Sequence, residues 1–176
     1  MAPEADLAAA RLVREHFDFI WRLTRRLGLA PEDADDAAQQ VFMTATQKLT
    51  SIAPGSERTY LYGVALRVTA NLKRKAHRRH EHTEAALASL QAEAAAPDQA
   101  TELVRARELL DELLMTLPEE LRRIFVLATI EQLELAEIAE LEGIPQGTVA
   151  SRLRRARVLF AGRLDKVRHR SPFGRE

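Results

Sequence analysis

Five histidines, twenty-six carboxylates and no cysteine are the chain's stock of metal-ligating and nucleophilic groups. His77, His80 and His82 lie close to Glu81 and Glu84, at a spacing a metal would accept. They also end a run of lysines and arginines, where histidine suits the negative end of a helix dipole, and a solvated helix end is the simpler reading. Asp33, Asp35 and Asp36 do not make a magnesium site, because neighbouring helix positions point in different directions. Without cysteine there is no thiolate metal site, disulfide or thiol nucleophile. No glycine-rich phosphate loop or Ser/His/Asp pattern is present either. The sequence therefore predicts no metal, no cofactor and no catalytic centre; the chain does not read as an enzyme. What remains is cation chemistry. In "GIPQGTVASRLRRARVLF" (143–160), Arg152, Arg154, Arg155 and Arg157 crowd one side of a helix whose Val149, Leu153, Ala156 and Phe160 form an apolar stripe. Charge that dense calls for a regular negative partner.

The elements around this stretch identify that partner. Leu135 to Glu142 reads as a two-turn helix, Gly143-Ile144-Pro145 as a tight connection, and Gln146 onward as a longer helix, which is helix-turn-helix spacing. Ile138 and Leu141 anchor the first helix, and Ala139 is small where the two helices cross. The apolar stripe of the second leaves Gln146, Gly147, Ala150, Ser151, Arg154 and Arg155 facing outward, flanked by Thr148, Arg152 and Arg157. A recognition helix sets such residues on base edges in the major groove while flanking arginines hold phosphates. Duplex DNA is the expected partner.

A second basic helix precedes it. Arg67, Asn71, Arg74 and Arg78 recur at 4-3-4 spacing opposite Leu61, Val64, Val68 and Leu72, and Lys73, Lys75 and Arg79 widen the patch. That stripe suits a phosphate backbone. Arg58 stands at its start, where Tyr60 and Tyr62 are candidates for stacking on an unpaired base. The formal net charge of zero hides this segregation: residues 67–82 hold six Lys/Arg against one acid, residues 83–120 nine acids against two arginines, and residues 146–170 eight bases against one acid. The acidic span is a candidate to fold back over the basic faces.

Seven glycines, seven prolines and the absence of any strand-length alternation predict an all-α fold. A first helix is expected over 7–27 with Val13, Phe17, Ile20, Thr24 and Leu27 inward. A second runs from Pro31 to about Leu49, burying Ala34, Ala37, Ala38, Val41, Ala45 and Leu49. A third spans Arg58 to about Arg79. The alanine-rich stretch that follows lacks a core pattern and reads as a flexible linker. Beyond it, Glu102–Thr116 and a helix after Leu117-Pro118 lead into the helix-turn-helix. The expected organisation is two small helical domains, 1–80 and 102–170, joined by a linker at 81–101 and followed by a tail at 171–176. The acidic N-terminus does not resemble a signal peptide and no membrane span is expected, so a cytoplasmic location is the working expectation. Read from residues alone, a rival stays open: a helix-turn-helix regulator whose N-terminal bundle senses a signal or dimerises.

The motifs also carry a resemblance. "DADDAAQQVFMTATQKL", "RTYLYGVALRVTANLKRKAHRR" and "LPEELRRIFVLATIEQLELAEIAELEGIPQGTVASRLRRAR" resemble regions two and four of bacterial RNA polymerase sigma factors of the extracytoplasmic-function (ECF) type of the sigma-70 family. The resemblance implies a non-catalytic specificity subunit that directs core RNA polymerase to promoters, with an anti-sigma factor as a further partner. It implies polymerase contacts through Asp35, Asp36, Gln39, Gln40 and Met43. The loop Thr50–Glu57 would hold a flipped base, and Arg58, Tyr60, Arg67, Asn71, Arg74, Lys75 and Arg78 would lie along the minus-ten element. Gln146, Thr148, Ser151, Arg152, Arg154, Arg155 and Arg157 would read the minus-thirty-five duplex. Tyr60, Arg67, Asn71 and Ala150 depart from the residues common at their positions, so the resemblance implies the fold and role but not the promoter sequence. Two weak sites on a tether would gain selectivity through effective concentration.

Overall fold

A computed structural model of the chain describes residues 2–53, 55–81 and 102–170. Among these the fold is all-α: α1 (Ala2–Arg26), α2 (Pro31–Gln47), α3 (Glu57–Glu81), α4 (Glu102–Met115), α5 (Glu119–Phe125), α6 (Leu135–Glu142) and α7 (Gln146–Arg170). The first residue of the expected 81–101 linker, Glu81, ends α3; residues 82–101 and the tail at 171–176 lie outside the described residues. The histidine cluster lies outside them in part: His82 and Glu84, and the side chains of His77, His80 and Glu81, are not described.

Helices α1, α2 and α3 pack together. Gly28, at φ 102°, reverses the chain after α1, its N–H donating to Arg25 O at 2.9 Å while the Leu29 N–H reaches Thr24 O at 3.2 Å. Such a left-handed cap suits glycine. Pro31 then starts α2, with Glu32 and Asp33 in the positive first turn. Ile20, Leu23, Leu27, Val41, Leu61 and Val64 are buried, each contributing roughly 1.5–3 kcal/mol of burial. Phe42 joins this core from beyond the expected stripe of α2, while Phe17 leaves it and Leu49, past the end of α2 at Gln47, is only half-buried. Leu12, Ile20, Leu23 and Leu27 occupy the inner line of α1, so Phe17 falls beside that line rather than on it.

Helices α4 to α7 form the second group around Leu114, Leu121, Ile124, Leu127, Ile138, Val149 and Leu153. Phe125 stacks on Phe160 with ring centroids 4.7 Å apart, holding α5 to α7. After α5 the chain widens into a π-type turn, Val126–Ile130, and Gln132 adopts a left-handed φ of 60°. The Glu131 and Leu133 N–H groups close this bend on Val126 O and Leu127 O, both at 3.0 Å. The bend aims Glu131 at the N-terminal helices.

The two groups touch. Glu131, its side chain 5% exposed, accepts hydrogen bonds from Tyr62 Oη at 3.0 Å, Arg58 at 3.2 Å and Arg26 at 3.5 Å. Nearby, Leu27 O at the end of α1 accepts from Lys73 Nζ at 2.5 Å and from Arg122 at 3.4 Å. Lys73 also pairs with Glu119 at 3.1 Å, and Arg26 with Asp111 at 3.4 Å. Gly28 makes room for this approach: a Cβ there would lie 2.6 Å from Arg122 Nη2.

Candidate nucleic-acid interface

The helix-turn-helix is set by local chemistry. The Glu137 carboxylate accepts from the Glu134 N–H at 2.9 Å, capping α6 at its start. Gly143, at φ 65°, ends it, with the Ile144 N–H returning to Ala139 O at 3.1 Å. Pro145 O then accepts from the Thr148 and Val149 N–H groups at 2.8 and 3.1 Å, opening α7. Val149, Leu153 and Ala156 are buried, which fixes the rotation of α7.

That rotation exposes Gln146, Gly147, Ala150, Ser151, Arg154, Arg155 and Arg157 on one side of the helix. Gly147 has open space where a Cβ would stand, which permits close approach to a groove floor. Two of the expected DNA-facing residues are placed differently. Thr148 is half-buried. Arg152 turns back to pair with Glu120 at 2.9 Å.

On α3, Arg67, Asn71, Arg74, Lys75 and Arg78 are exposed, as the 4-3-4 spacing requires. Arg67 Nε donates to Gly63 O at 3.0 Å, and Arg74 donates to Asn71 Oδ1, tying those two members of the stripe together. Tyr62 does not match the stacking idea. Tyr62 is 1% exposed, its ring edge-on to Phe19 at 5.1 Å and its hydroxyl committed to Glu131. It is a core residue with a polar tip, and only half-buried Tyr60 remains a candidate. Burial and the Glu131 carboxylate push the Tyr62 hydroxyl pKa well above its ordinary value. Arg58 lies over the Phe19 ring at 4.7 Å and donates to Tyr62 Oη at 3.1 Å. Lys73 does not widen the basic patch; it points inward to Leu27 O and Glu119, and burial lowers its pKa.

The acidic face of α2 presents Asp35, Asp36, Gln39, Gln40 and Met43 to solvent. Asp35 is also structural: its carboxylate accepts the Trp21 indole N–H at 2.8 Å. Beside Gln39 and Met43 lies an apolar hollow of about 450 Å³, lined also by Val13, Phe17 and Phe42. Sequence reasoning missed it. Its signal was the excess of apolar residues on α1 over those a single inward line needs, with Leu7 at 69% and Phe17 at 39% exposure.

Comparison with known proteins identifies the family. The family description for sigma-70 region 2 matches residues 12–79, and that for sigma-70 region 4 matches residues 107–159. The chain is 33% identical over 151 residues to the ECF RNA polymerase sigma factor SigE of Mycolicibacterium smegmatis, covering 83% of this chain and 57% of SigE. It is 28% identical over 160 residues to the ECF RNA polymerase sigma factor SigW of Bacillus subtilis, covering 85% of each. The chain thus spans little more than half the length of SigE. Among solved structures, the sigma factor RpoE in complex with the anti-sigma factor NepR from Bartonella quintana gives a TM-score of 0.73 at 20% identity, over 89% of this chain and 96% of that one. CnrH in complex with the cytosolic domain of CnrY gives 0.61 at 22% identity, over 92% and 95%. These two likenesses concern the fold. The region-2 match over the N-terminal helices removes the ground for a sensing or dimerising bundle there.

Proposed function

The chain belongs to the sigma-70 family, in its ECF branch, and from that premise we propose that it is a promoter-specificity subunit of bacterial RNA polymerase. In this reading α1–α3 and α4–α7 are separate modules. The outward side of α7, with Gln146, Ser151, Arg154, Arg155 and Arg157, reads the minus-thirty-five duplex, joined by Thr148 and Arg152 once DNA competes for them. Arg67, Asn71, Arg74, Lys75 and Arg78 follow the minus-ten strand during melting, with Arg58, Tyr60 and the 50–57 loop beside them. The face of Asp35, Asp36, Gln39, Gln40 and Met43 binds core polymerase, and the apolar hollow beside Met43 extends it. The chain supplies recognition, the polymerase supplies synthesis, and an anti-sigma factor is the regulatory partner. All of this takes place in the cytoplasm. Among the described residues no helix is long and apolar enough to cross a membrane.

The observation that carries the reading is the order of parts: an acidic docking face, a basic strand-facing helix and a basic recognition helix, each exposed on its own element. Run-off transcription with purified bacterial core polymerase and a promoter library tests it. Specific initiation that depends on this chain is expected. Failure to associate with core polymerase at low salt overturns it.

A further inference from the structure

Ser151 lies on the outward side of α7, with Gly147 one turn before it and Arg155 one turn after. The residue is exposed, yet its proton is already committed. Ser151 Oγ is 2.9 Å from Thr148 O, and because a carbonyl oxygen only accepts, the hydroxyl is the donor. What it offers a ligand is therefore the lone pairs of its oxygen. The other outward polar side chains between Gly147 and Arg157 are Arg154, Arg155 and Arg157, and a guanidinium only donates. Gly147 and Ala150 carry no polar side-chain atom. Thr148 is half-buried, and Arg152 is turned back to Glu120 at 2.9 Å. Ser151 is the one outward acceptor in a stretch of donors.

We infer that Ser151 selects for a base amino group in the major groove of the minus-thirty-five duplex, the N6 amino of an adenine or the N4 amino of a cytosine. The inference rests on the function proposed above and adds to it the polarity of one contact. These amino groups are the donors that the major groove presents, whereas guanine O6 and N7, adenine N7 and thymine O4 all accept. An accepting base bonds Ser151 only if the hydroxyl swings away from Thr148 O, which exchanges one hydrogen bond for another. An amino group adds a bond and breaks none. A hydroxyl that donates is also the better acceptor, because bonds in a chain polarise one another. Gly147 brings the base edge within reach of so short a side chain: a Cβ there would meet nothing within 4 Å, so the helix surface beside Ser151 is low. Arg155 gives the register. It stands one turn on, about 6 Å along the axis, and guanine O6 and N7 are the commonest base partners of arginine. With base pairs about 3.4 Å apart, the amino-bearing base lies within about two base pairs of that guanine.

The test uses the whole chain and a duplex selected from a randomised pool, titrated by gel shift. Each adenine of that duplex is replaced in turn by purine and each cytosine by 2-pyrimidinone, which removes the amino group and keeps the ring. Every replacement is measured with wild type and with Ser151→Ala. Weakened base pairing affects both proteins alike, so the ratio of the two losses isolates the contact. Alanine suits an exposed helix position, and an unchanged far-UV circular dichroism spectrum establishes that the variant folds. At one position the loss should be about two- to tenfold larger for wild type than for Ser151→Ala, the worth of one hydrogen bond. Whether that position is an adenine or a cytosine names the base. Arg155→Ala should keep this amino dependence while losing its own dependence on N7 of the neighbouring guanine, read with 7-deazaguanine. Equal losses in wild type and Ser151→Ala at every amino position overturn the inference. So does coupling of Ser151 to a purine N7 instead, for it would make the hydroxyl a donor to the base. Either result, with sequence-selective binding intact, leaves the minus-thirty-five reading standing. A chain that selects no duplex overturns that reading and this inference together.

Discussion

Replacing Arg122 by methionine should make the protein more stable. The guanidinium sits at the junction of α5 with the end of α1, 6% exposed. Its polar contacts are poor: Leu27 O at 3.4 Å, the Met115 sulfur at 3.4 Å, and none at Nε. Burial lowers its pKa against the partial support of Glu119, and it shares the carbonyl with a second cation, Lys73. Two long contacts of this kind are worth about 1 kcal/mol together. Replacing buried ion pairs by apolar side chains of similar volume is often neutral or stabilising, by up to about 1–4 kcal/mol, and a buried cation this poorly partnered has still less to lose. Lys73 still satisfies Leu27 O in the variant, so no acceptor is orphaned. The net expectation is about 1–2 kcal/mol, which for a chain of this size raises Tm by roughly 3–6 °C. Thermal and urea unfolding followed by far-UV circular dichroism measure it. A lower Tm would refute the reasoning, for it would mean that the guanidinium's contacts outweigh its desolvation.

Three further predictions concern the faces themselves. Asp36→Lys should weaken core-polymerase binding at least about tenfold, a loss of about 1.4 kcal/mol, with Tm unchanged; Asp35→Lys should also lower Tm, because the Trp21 indole loses its acceptor. Equal unfolding of both variants, or normal polymerase binding by Asp36→Lys, would remove the interface from this face. On α7, Ser151→Ala and Arg155→Ala should each cost about 1–3 kcal/mol of discrimination on a minus-thirty-five duplex. Arg157→Ala should instead weaken all duplexes alike and lower the salt slope by about 0.9. Gel-shift titrations at several salt concentrations would expose the reverse pattern. Finally, burial and Glu131 raise the Tyr62 pKa, with Arg58 opposing them. A hydroxyl whose pKa is raised by docking favours the docked state while protonated, fully below its ordinary pKa of about 10 and less as pH climbs beyond it. Scattering across that range should show wild type expanding at alkaline pH more than Tyr62→Phe does; identical profiles would disprove the linkage.

The helices were legible because their signals are local. Pro31 with its following acids, Gly143 and Pro145 each act on the backbone within a turn, and the elements begin and end within a residue or two of those marks. The exposed side of α7 was equally legible, since Val149, Leu153 and Ala156 fix the rotation of a single helix. What the sequence hid depends on two elements meeting. Tyr62 reads as a rim aromatic until α1 brings Phe19 against it and the bend after α5 brings Glu131. Lys73 reads as one more phosphate ligand until the end of α1 offers it Leu27 O. Phe17 falls on the apolar periodicity of α1, but periodicity alone does not say which of two adjacent lines faces the core.

The charge pattern shows why the docking could not be read from composition. Its basic residues belong to two populations that look alike in the sequence. Arg26, Arg58, Lys73, Arg123 and Arg152 are paired with Asp111, Glu131, Glu119, Glu142 and Glu120. Arg154, Arg155 and Arg157, and the α3 stripe, have no ion pair among the described residues. These five acids are therefore structural partners of the paired cations. Four of those five pairs join elements distant in sequence, and three of them, through Asp111, Glu131 and Glu119, join the two helix groups. A chain that bound DNA through every cation it owns would have no electrostatic means of holding its halves together when DNA is absent. Dividing the cations between packing and recognition gives it one.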